Sequence, residues 1–351
     1  MALEAWWREQ VRSRSPAWRW LLGPLSLAYG LGLRLRRAAL PSRPPRRLAG
    51  AKVVSVGNVS VGGTGKTPLG LALARSISQR RKVAVVLRGY RGRPQSLPLL
   101  VSRGQGALAG VSESGDEAQL YASLPGVAVV VDPDRLRGAQ FAAAELGCKV
   151  ILLDDGFQRR WQLARDLEIV VLDRDQLFAP WLLPKGPYRE PLEAAAGADA
   201  LVVTGGPKGL SREAQRRELP ASLRHLPFFP AQRRSAGLRA WPCGKRLGLR
   251  ALRGRTVAAL SGIGSPQGFE AALLEAGAHA VVRWRYRDHH AYRREDLASP
   301  PPAQAIVTTA KDAVRLPKDW RPSLPVWVLE MDLKPAAGQS WAQLLKLMDR
   351  P

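Results

Sequence analysis

The chain has 351 residues and an apolar fraction of 46%, which is enough for one large α/β domain or two medium ones around a real core. Its two cysteines and four histidines lie at no metal-ligand spacing, which argues against structural zinc and a disulfide framework. The formal net charge of +25 favours phosphates, nucleic acid or acidic lipid headgroups as partners, although scattered solvated arginines would give the same value.

The first segment of the chain predicts a helix that lies at a membrane surface. Its uncharged, mainly apolar run, 21–33, is shorter than the roughly 20 residues needed to span a bilayer, and no signal-peptide cleavage site is present. The tryptophans and arginines that flank this run are Trp6, Trp7, Trp18, Trp20, Arg36 and Arg37. Such a mixture is typical of helices in the headgroup interface, and a helix buried against its own domain is the alternative. We expect 1–40 to dock the protein on an anionic membrane surface.

After a linker rich in proline and arginine, apolar runs alternate with helical patterns. The strands predicted in this part are 52–56, 83–87, 127–131, 150–153, 169–172 and 201–203. Helices are predicted between them at 68–79 and 136–146. Continuous Val/Ile/Leu strands that alternate with helices predict an α/β fold, with a parallel sheet flanked by helices on both faces.

A second α/β series follows a segment, 205–250, that is rich in arginine, proline and glycine and predicts a connection with a hairpin or loop. The strands predicted in the second series are 256–260, 280–284, 305–308 and 326–329, with a helix at 268–276. The domains predicted are a docking region at 1–40, a core at 41–204, the connection at 205–250, and a second, smaller α/β lobe at 251–351.

A glycine-rich loop between the first predicted strand of the core and its first helix predicts a phosphate site. The loop consists of Gly62, Gly63, Thr64, Gly65, Lys66 and Thr67. Its glycines let backbone N–H groups point inward at an anion, as in P-loop NTPases that bind ATP. Lys66 can reach the β- and γ-phosphates, and the Thr67 hydroxyl can bind Mg²⁺. The pattern departs from the usual one at Ser60, where a glycine is expected.

Two carboxylates, Asp154 and Asp155, follow the predicted strand 150–153. A carboxylate at the end of a buried strand can hold Mg²⁺ directly or through water. Aspartates also cap turns, so this assignment depends on the phosphate loop being nearby. The sequence leaves open which of the two is nearer the metal.

Several short motifs occur in one order over most of the chain. They are VGNVSVGGTGKTP (56–68), LRGYRGR (87–93), GDEAQL (115–120), DDGFQ (154–158), RDLEIVVLD (165–173), LLPKGPYREP (182–191), GIGSPQGF (262–269), DHHAY (288–292) and TTAKDAV (308–314). Their combination resembles the tetraacyldisaccharide 4'-kinases, membrane-associated enzymes of the lipid A pathway. The arginine-flanked apolar N-terminus resembles the membrane-docking helix of that family as well.

The resemblance implies transfer of the ATP γ-phosphate to the 4'-hydroxyl of a tetraacylated glucosamine disaccharide 1-phosphate. It makes Asp116 the catalytic base and His289 its partner, beside Lys66 of the phosphate loop. The matched positions that we expect near phosphates or sugar are Arg88, Tyr90, Gln158, Arg189 and Glu190. The resemblance also implies a bacterial cytoplasmic enzyme bound peripherally to the inner membrane, and we expect no nucleic-acid partner.

General chemistry supports these roles, because a sugar hydroxyl is a poor nucleophile and a carboxylate can take its proton as attack develops. A histidine beside that carboxylate can orient it and adjust its pKa. Arg159 departs from the family, which usually has histidine after DDGxQ. Lys311 and Asp312 match a family motif for which the sequence predicts no role. His225 and His279 are expected to be structural.

Three other functions are compatible with parts of the sequence. TAKD resembles the guanine-reading elements of GTPases, so a P-loop GTPase or metallochaperone NTPase would select GTP over ATP. The positive charge suits a nucleic-acid-stimulated ATPase, although no dense basic block or known binding motif is present. A membrane protein that binds nucleotide as a switch would not need Asp116 and His289.

Overall fold

The computed structural model describes residues 22–40, 43–206 and 210–350. Within these ranges the strands are β1 (Lys52–Gly57), β2 (Val83–Leu87), β3 (Leu99–Arg103), β4 (Val127–Val131), β5 (Val150–Asp154), β6 (Leu167–Asp173), β7 (Ala200–Thr204), β8 (Phe228–Ala240), β9 (Arg246–Leu247), β10 (Thr256–Ser261), β11 (Ala280–Arg285), β12 (Ala305–Thr309) and β13 (Val326–Pro335). The α-helices are α1 (Gly23–Ala38), α2 (Lys66–Ser78), α3 (Val111–Ser114), α4 (Asp116–Ala122), α5 (Arg135–Ala144), α6 (Arg174–Leu177), α7 (Arg212–Glu218), α8 (Pro266–Glu275), α9 (Ala310–Ala313) and α10 (Trp341–Leu345). Short 3-10 helices lie at Phe157–Arg159, Leu192–Gly197, Ala221–Leu223, Leu249–Leu252, Glu295–Leu297 and Lys346–Asp349.

All these strands belong to one mostly parallel sheet, whose two blocks are joined by the long strand β8. The strand order is β11-β10-β12-β13-β8-β7-β6-β1-β5-β2-β4-β3, with β9 paired to β8 outside this path. β8 runs parallel to β7 on one side and antiparallel to β13 on the other. We call β1–β7 with their helices the N-terminal half, and β10–β13 with their helices the C-terminal half.

Helices cover both faces of the N-terminal half, because successive strand residues point to opposite faces. Val54 and Val56 of β1 belong to one buried cluster with Leu69 and Leu73 of α2. Val53 points to the other face, into a cluster that includes buried residues of α5. A sheet buried on both faces leaves the strand ends as the places where polar groups meet solvent.

The pairing of β1 with β5 places two predicted motifs at one edge of the sheet. The two strands are parallel, and Val56 lies opposite Asp154. The loop after β1 and the carboxylates that end β5 therefore meet at the carboxyl edge, where α/β sheets bind their ligands.

Each strand and helix predicted from the sequence in the two α/β series is present at its predicted position. Strand β3 was not predicted, and β8 and β9 were not given as strands, although they pair as an antiparallel hairpin within the segment for which a hairpin or loop was predicted. In β8, Pro230 and the adjacent Arg233 and Arg234 interrupt the apolar pattern. It pairs with β7 and β13 in the sheet, and a local sequence pattern cannot reveal these pairings. The segment predicted as a connection with a hairpin thus contains a strand from the middle of the sheet, paired antiparallel to β9.

Helix α1 packs against the loop that precedes the second 3-10 helix. The Ser26 hydroxyl donates to the carbonyl of Leu182 at 3.0 Å, and the Tyr29 hydroxyl donates to the carbonyl of Arg189 at 3.0 Å. No helix in the described ranges is both long and apolar enough to cross a bilayer. The predictions for Trp6, Trp7, Trp18 and Trp20 fall outside the described residues.

Candidate active site

The phosphate loop has the backbone shape that its glycines predict. It connects β1 to α2, and Gly62 and Gly65 adopt φ angles of 100° and 105°, which L side chains rarely adopt. Ser60 is buried and forms a β-bridge with Tyr188, and it is not among the residues with positive φ. The departure from the usual glycine at this position is therefore compatible with the loop, since Ser60 needs no unusual conformation.

Buried side chains fix this loop from inside. The Asn58 amide donates to the Ser60 carbonyl at 2.7 Å and to the Thr64 hydroxyl at 3.2 Å. The Thr204 hydroxyl, at the end of β7, donates to the Thr64 carbonyl at 2.6 Å. From β8, the Arg233 guanidinium donates to the carbonyl of Gly63. Donors that are already held in place need no reorganisation when an anion binds.

Asp155 lies between two cations at the mouth of the loop. Its Oδ1 is 3.7 Å from Lys66 Nζ and 2.5 Å from Arg189 Nη2. Burial opposes its ionisation, but Lys66 and Arg189 lower the pKa of Asp155 to about 2. Burial also lowers the pKa of Lys66, against the opposing charge of Asp155. Asp155 adopts a φ of 54°, a strained value of the kind that clusters at functional sites.

Asp154 has a different environment, although it is the adjacent residue. It is buried and accepts a hydrogen bond from the Tyr121 hydroxyl at 3.1 Å. Burial and the neighbouring carboxylates Glu117 and Asp155 raise the pKa of Asp154 to about 7. Glu117 Oε1 in turn accepts a hydrogen bond from the Thr67 hydroxyl at 3.5 Å. This side of the loop is thus negative and oxygen-rich, whereas Asp155 is neutralised by cations.

The raised pKa of Asp154 predicts a stability that depends on pH. Because the folded pKa of about 7 lies above the ordinary 3.8, the stabilisation by its proton is complete below about pH 4 and is lost as the pH rises through 7. Asp154→Asn removes that loss. Without Mg²⁺, we expect its Tm to exceed that of the unchanged protein by on the order of 3 °C at about pH 8, and by less at about pH 5. Thermal unfolding at both pH values tests this, and an equal difference at both would contradict it.

Asp116 and His289 come together across the two halves of the molecule. Asp116 begins α4 and is buried, and His289 Nδ1 lies 2.9 Å from its Oδ2. Burial opposes ionisation of Asp116, but the contact with His289 lowers its pKa below the ordinary value. His289 adopts a φ of 59° and donates its backbone N–H to the carbonyl of Gly262 at 2.9 Å. Lys311, whose ammonium lies 2.7 Å from Glu117 Oε1, has its pKa raised, against burial, by the charges of both Glu117 and Asp116, so the pair lies near the Thr67 side of the phosphate loop.

Asp312 anchors the loops that carry His289. It is fully buried, and its Oδ1 accepts hydrogen bonds at 2.8 Å from the Gly262 backbone, the Tyr292 hydroxyl and the Arg315 guanidinium. Arg315 also donates to the carbonyl of Gly262 at 3.1 Å, and its Nε lies 3.8 Å from Asp116 Oδ2. A buried, fully bonded carboxylate of this kind fixes the local backbone. The structure thereby gives Asp312, for which the sequence predicted no role, a structural one.

The family model for LpxK, tetraacyldisaccharide-1-P 4'-kinase, matches residues 18–349 of this chain. The chain belongs to this family. Among curated relatives named tetraacyldisaccharide 4'-kinase, that of Anaeromyxobacter dehalogenans (strain 2CP-C) is 39% identical over 348 residues, covering 90% of this chain and 86% of the relative. That of Syntrophus aciditrophicus (strain SB) is 36% identical over 355 residues, covering 95% and 94%. The crystal structure of "apo" form LpxK from Aquifex aeolicus in complex with ATP aligns with a TM-score of 0.75 and 29% identity, over 94% of this chain and 99% of that one.

The resemblance and the α/β P-loop fold predicted from the sequence are therefore confirmed. Membership of the tetraacyldisaccharide 4'-kinase family does not favour the alternatives of a GTPase or a nucleic-acid-stimulated ATPase. The positions that match family motifs differ in where they lie relative to the phosphate loop and the Asp116–His289 pair.

Three of these positions lie close to the two centres described above. The Gln158 amide donates to the carbonyl of Asn58 at 2.7 Å, behind the phosphate loop. Arg189 contacts Asn58 Oδ1 at 2.5 Å as well as Asp155. The Tyr90 ring, 58% exposed, meets the His289 ring edge-on with 5.6 Å between centroids.

The remaining matched positions lie further out, and Arg88 and Arg159 are close enough to the buried Arg135 for their charges to lower its pKa. Glu190 forms an ion pair with Arg37 of α1 at 2.8 Å. Arg88 is exposed just after β2. Arg159, the departure from the tetraacyldisaccharide 4'-kinase pattern, donates to the carbonyl of Pro133 at 3.2 Å.

Several residues that shape the site were not predicted from the sequence. Glu117 and Asn58 lie inside quoted motifs, so their polarity beside Asp116 and the glycine loop was the available indication. Arg135 lies in no quoted motif: it is buried and donates to the carbonyl of Asp154 at 3.2 Å, and burial lowers its pKa to about 10. Arg315 falls just after the TTAKDAV motif. The contacts of both arginines depend on the tertiary fold, which no local pattern predicts.

Proposed function

We propose that this chain binds ATP on the phosphate loop and transfers its γ-phosphate to the 4'-hydroxyl of a tetraacyldisaccharide 1-phosphate. The observation that carries the proposal is the contact between Asp116 and His289, placed directly beside the Thr67–Glu117 contact of the loop. A nucleotide-binding loop thus adjoins a carboxylate–histidine pair that can accept a proton, as phosphate transfer to an alcohol requires.

The phosphates would be held by the backbone N–H groups of residues 62–67 together with the Lys66 ammonium. Both are fixed before ATP arrives, the loop by its buried side chains and Lys66 by Asp155. Charge that is placed in advance around the transferring phosphoryl group accounts for most of the rate gain in this kind of reaction. We propose that Asp155 and Arg189 serve to position Lys66.

The donors beside the loop fit Mg²⁺. The Thr67 hydroxyl and the Asp154 carboxylate are hard oxygen ligands, and Asp154 is the aspartate whose neighbours are negative. In the described part of the chain no three His, Cys, Asp or Glu side chains form a self-contained metal site. That agrees with Mg²⁺ bound by one or two protein ligands and completed by phosphates and water. When bound, the ion would neutralise charge on the phosphates, and we place it nearer Asp154 than Asp155.

Asp116 is positioned to take the proton of the 4'-hydroxyl. The pKa of Asp116 is lower than the ordinary carboxyl value, so the side chain is ionised at neutral pH. The contact with His289 keeps its orientation. Tyr90 is exposed next to that pair, so we assign its ring to the sugar. We assign Gln158 to support of the loop and Glu190 to support of α1, and Arg88 to the exposed rim where an anionic substrate approaches.

The test is incubation with γ-labelled ATP and the disaccharide 1-phosphate in mixed micelles. We expect label on the lipid at the 4' position, ATP preferred over GTP, and no stimulation by nucleic acid. Hydrolysis of ATP with no label on the lipid would refute the proposal, and strong selection of GTP would favour a GTPase.

We further propose that α1 lies on the anionic cytoplasmic surface of the inner membrane. Leu27, Leu31 and Leu35 recur every four residues and are 77%, 58% and 63% exposed, so they form one apolar stripe on the helix. Arg36 is in its last turn, where it can meet acidic headgroups, whereas Arg37 in the same turn pairs with Glu190. The opposite side of α1 contacts Leu182 and Arg189, so a docked helix would place the site at the membrane surface.

This surface can be tested by vesicle sedimentation. The double variant Leu27→Glu/Leu31→Glu is expected to partition onto anionic vesicles at least about tenfold less, because each buried leucine contributes about 1.5–3 kcal/mol. Leu108→Glu/Leu274→Glu, which changes two exposed leucines elsewhere, is the matched control. ATP affinity should be unchanged in both. Equal partitioning of the two double variants would refute the docking surface.

A further inference from the structure

The ammonium group of Lys311 reaches from the C-terminal half to the phosphate loop side of the site. Its Nζ lies 2.7 Å from Glu117 Oε1. The same oxygen accepts the hydrogen bond from the Thr67 hydroxyl at 3.5 Å. Lys311 lies in α9, directly after β12, whereas Glu117 lies in the first turn of α4. The three side chains therefore form a chain of polar contacts between the two halves.

This ion pair is poorly suited to a purely stabilising role. The two side chains are about one-third exposed, at 32% and 35%. Ion pairs with that exposure contribute little to folding, because water already solvates both charges. Such a pair can instead fix an orientation, because a lysine that faces a carboxylate limits the directions in which the carboxylate can point.

The surroundings of Lys311 are acidic on the side that faces the nucleotide loop. Burial lowers its pKa, but the charges of Glu117, Asp116 and Asp154 outweigh burial and raise the pKa of Lys311 overall. Lys311 therefore carries its charge at neutral pH, close to the carboxylates grouped around Thr67. Asp312, the next residue, is the buried anchor of the neighbouring loops, so α9 is held firmly where Lys311 leaves it.

We propose that Lys311 is a positioning residue for the binding of ATP together with Mg²⁺. It holds Glu117 where that carboxylate accepts the Thr67 proton, so that a lone pair of the hydroxyl stays free for the cation. The inference rests on the proposed function only through the assignment of Thr67 to Mg²⁺. It gives the C-terminal half a direct part in the nucleotide site, in addition to supplying His289.

The test is calorimetric binding of ATP with and without Mg²⁺, which needs no lipid substrate. In Lys311→Met, we expect the gain in ATP affinity that Mg²⁺ provides to fall at least about tenfold, the usual effect of losing a group that orients a metal ligand. ATP affinity without Mg²⁺ should stay nearly unchanged. Lys311→Arg, which keeps the charge and the reach, should retain most of the gain. Lys334→Met is the control, because Lys334 is an exposed lysine with its own ion pair at 4.0 Å to Asp332.

The contribution of Glu117 is isolated by combining variants. In a Glu117→Ala background, Lys311→Met should cause no further loss, since the lysine would act through that carboxylate. Lys311→Gln is measured in parallel and provides the same test if Lys311→Met does not fold. The proposal would be overturned if Mg²⁺ raised ATP affinity as much in Lys311→Met and Lys311→Gln as in the unchanged protein. It would also be overturned if Lys311→Met reduced that gain equally with and without Glu117. Failure of the lipid assay alone would refute the lipid kinase function and leave this test intact.

Discussion

Lys66→Met is expected to lower kcat for phosphate transfer by more than about 10³-fold. The ammonium is the charged group of the loop that can follow the γ-phosphate as negative charge redistributes, and its loss leaves that charge uncompensated. Asp155, which contacts Lys66 at 3.7 Å, would then be balanced by Arg189 and Arg135 alone among these cations and would repel the phosphates more strongly. ATP binding should also weaken, because ground-state and transition-state phosphates share this contact.

Single-turnover transfer in mixed micelles measures this effect, together with ATP affinity. Lys245→Met, at an exposed lysine directly before β9, is the control and should match the unchanged enzyme. Lys66→Arg should restore little activity, because the planar guanidinium is broader and differently directed than the ammonium. Turnover of Lys66→Met within about tenfold of the unchanged enzyme would remove Lys66 from the catalytic residues.

Much of the fold could be predicted because its information is local. The runs that form β2, β4 and β5 are continuous apolar stretches, and a strand buried on both faces needs nothing else to be recognised. Strand β8 could not be predicted from its local sequence. Its arginines are typical of a loop, and it becomes a strand because β7 and β13 supply partners on both sides. The domain boundaries at 205–250 stay a prediction, since the sheet runs continuously through this segment.

Some of the site residues could likewise be predicted from the sequence, and others could not. Strand, glycine loop and helix follow one another in the chain, so the loop and its Lys66 and Thr67 could be predicted from spacing. The different roles proposed for Asp154 and Asp155 could not, because they depend on Glu117 and Arg189, which reach the pair from other elements. The partnership of Asp116 with His289 was available only through family resemblance, since the two residues belong to opposite halves.

Asp116→Asn is the sharpest test of the chemistry, and it is expected to lower kcat by at least about 10²-fold with ATP affinity nearly kept. The amide has the same shape as the carboxylate and can still contact His289, but it cannot take the proton of the sugar hydroxyl. Asp116 is buried, and its ion-pair partners are His289 and Arg315 rather than the nucleotide, which is why nucleotide affinity should survive. Asp319→Asn, an exposed aspartate paired with Arg294, is the control.

His289→Ala, alone and combined with Asp116→Asn, then tests whether the two residues act together or independently. If His289 acts by orienting Asp116, then His289→Ala slows transfer alone but adds little to Asp116→Asn, since nothing remains for it to orient. Independent roles would instead multiply the two losses. The lowered pKa of Asp116 adds a further expectation: His289→Ala should move the acidic limb of the kcat profile to higher pH, because the contact with His289 favours the ionised carboxylate. An acidic limb that stays in place would mean that Asp116 is not the group whose ionisation limits the reaction.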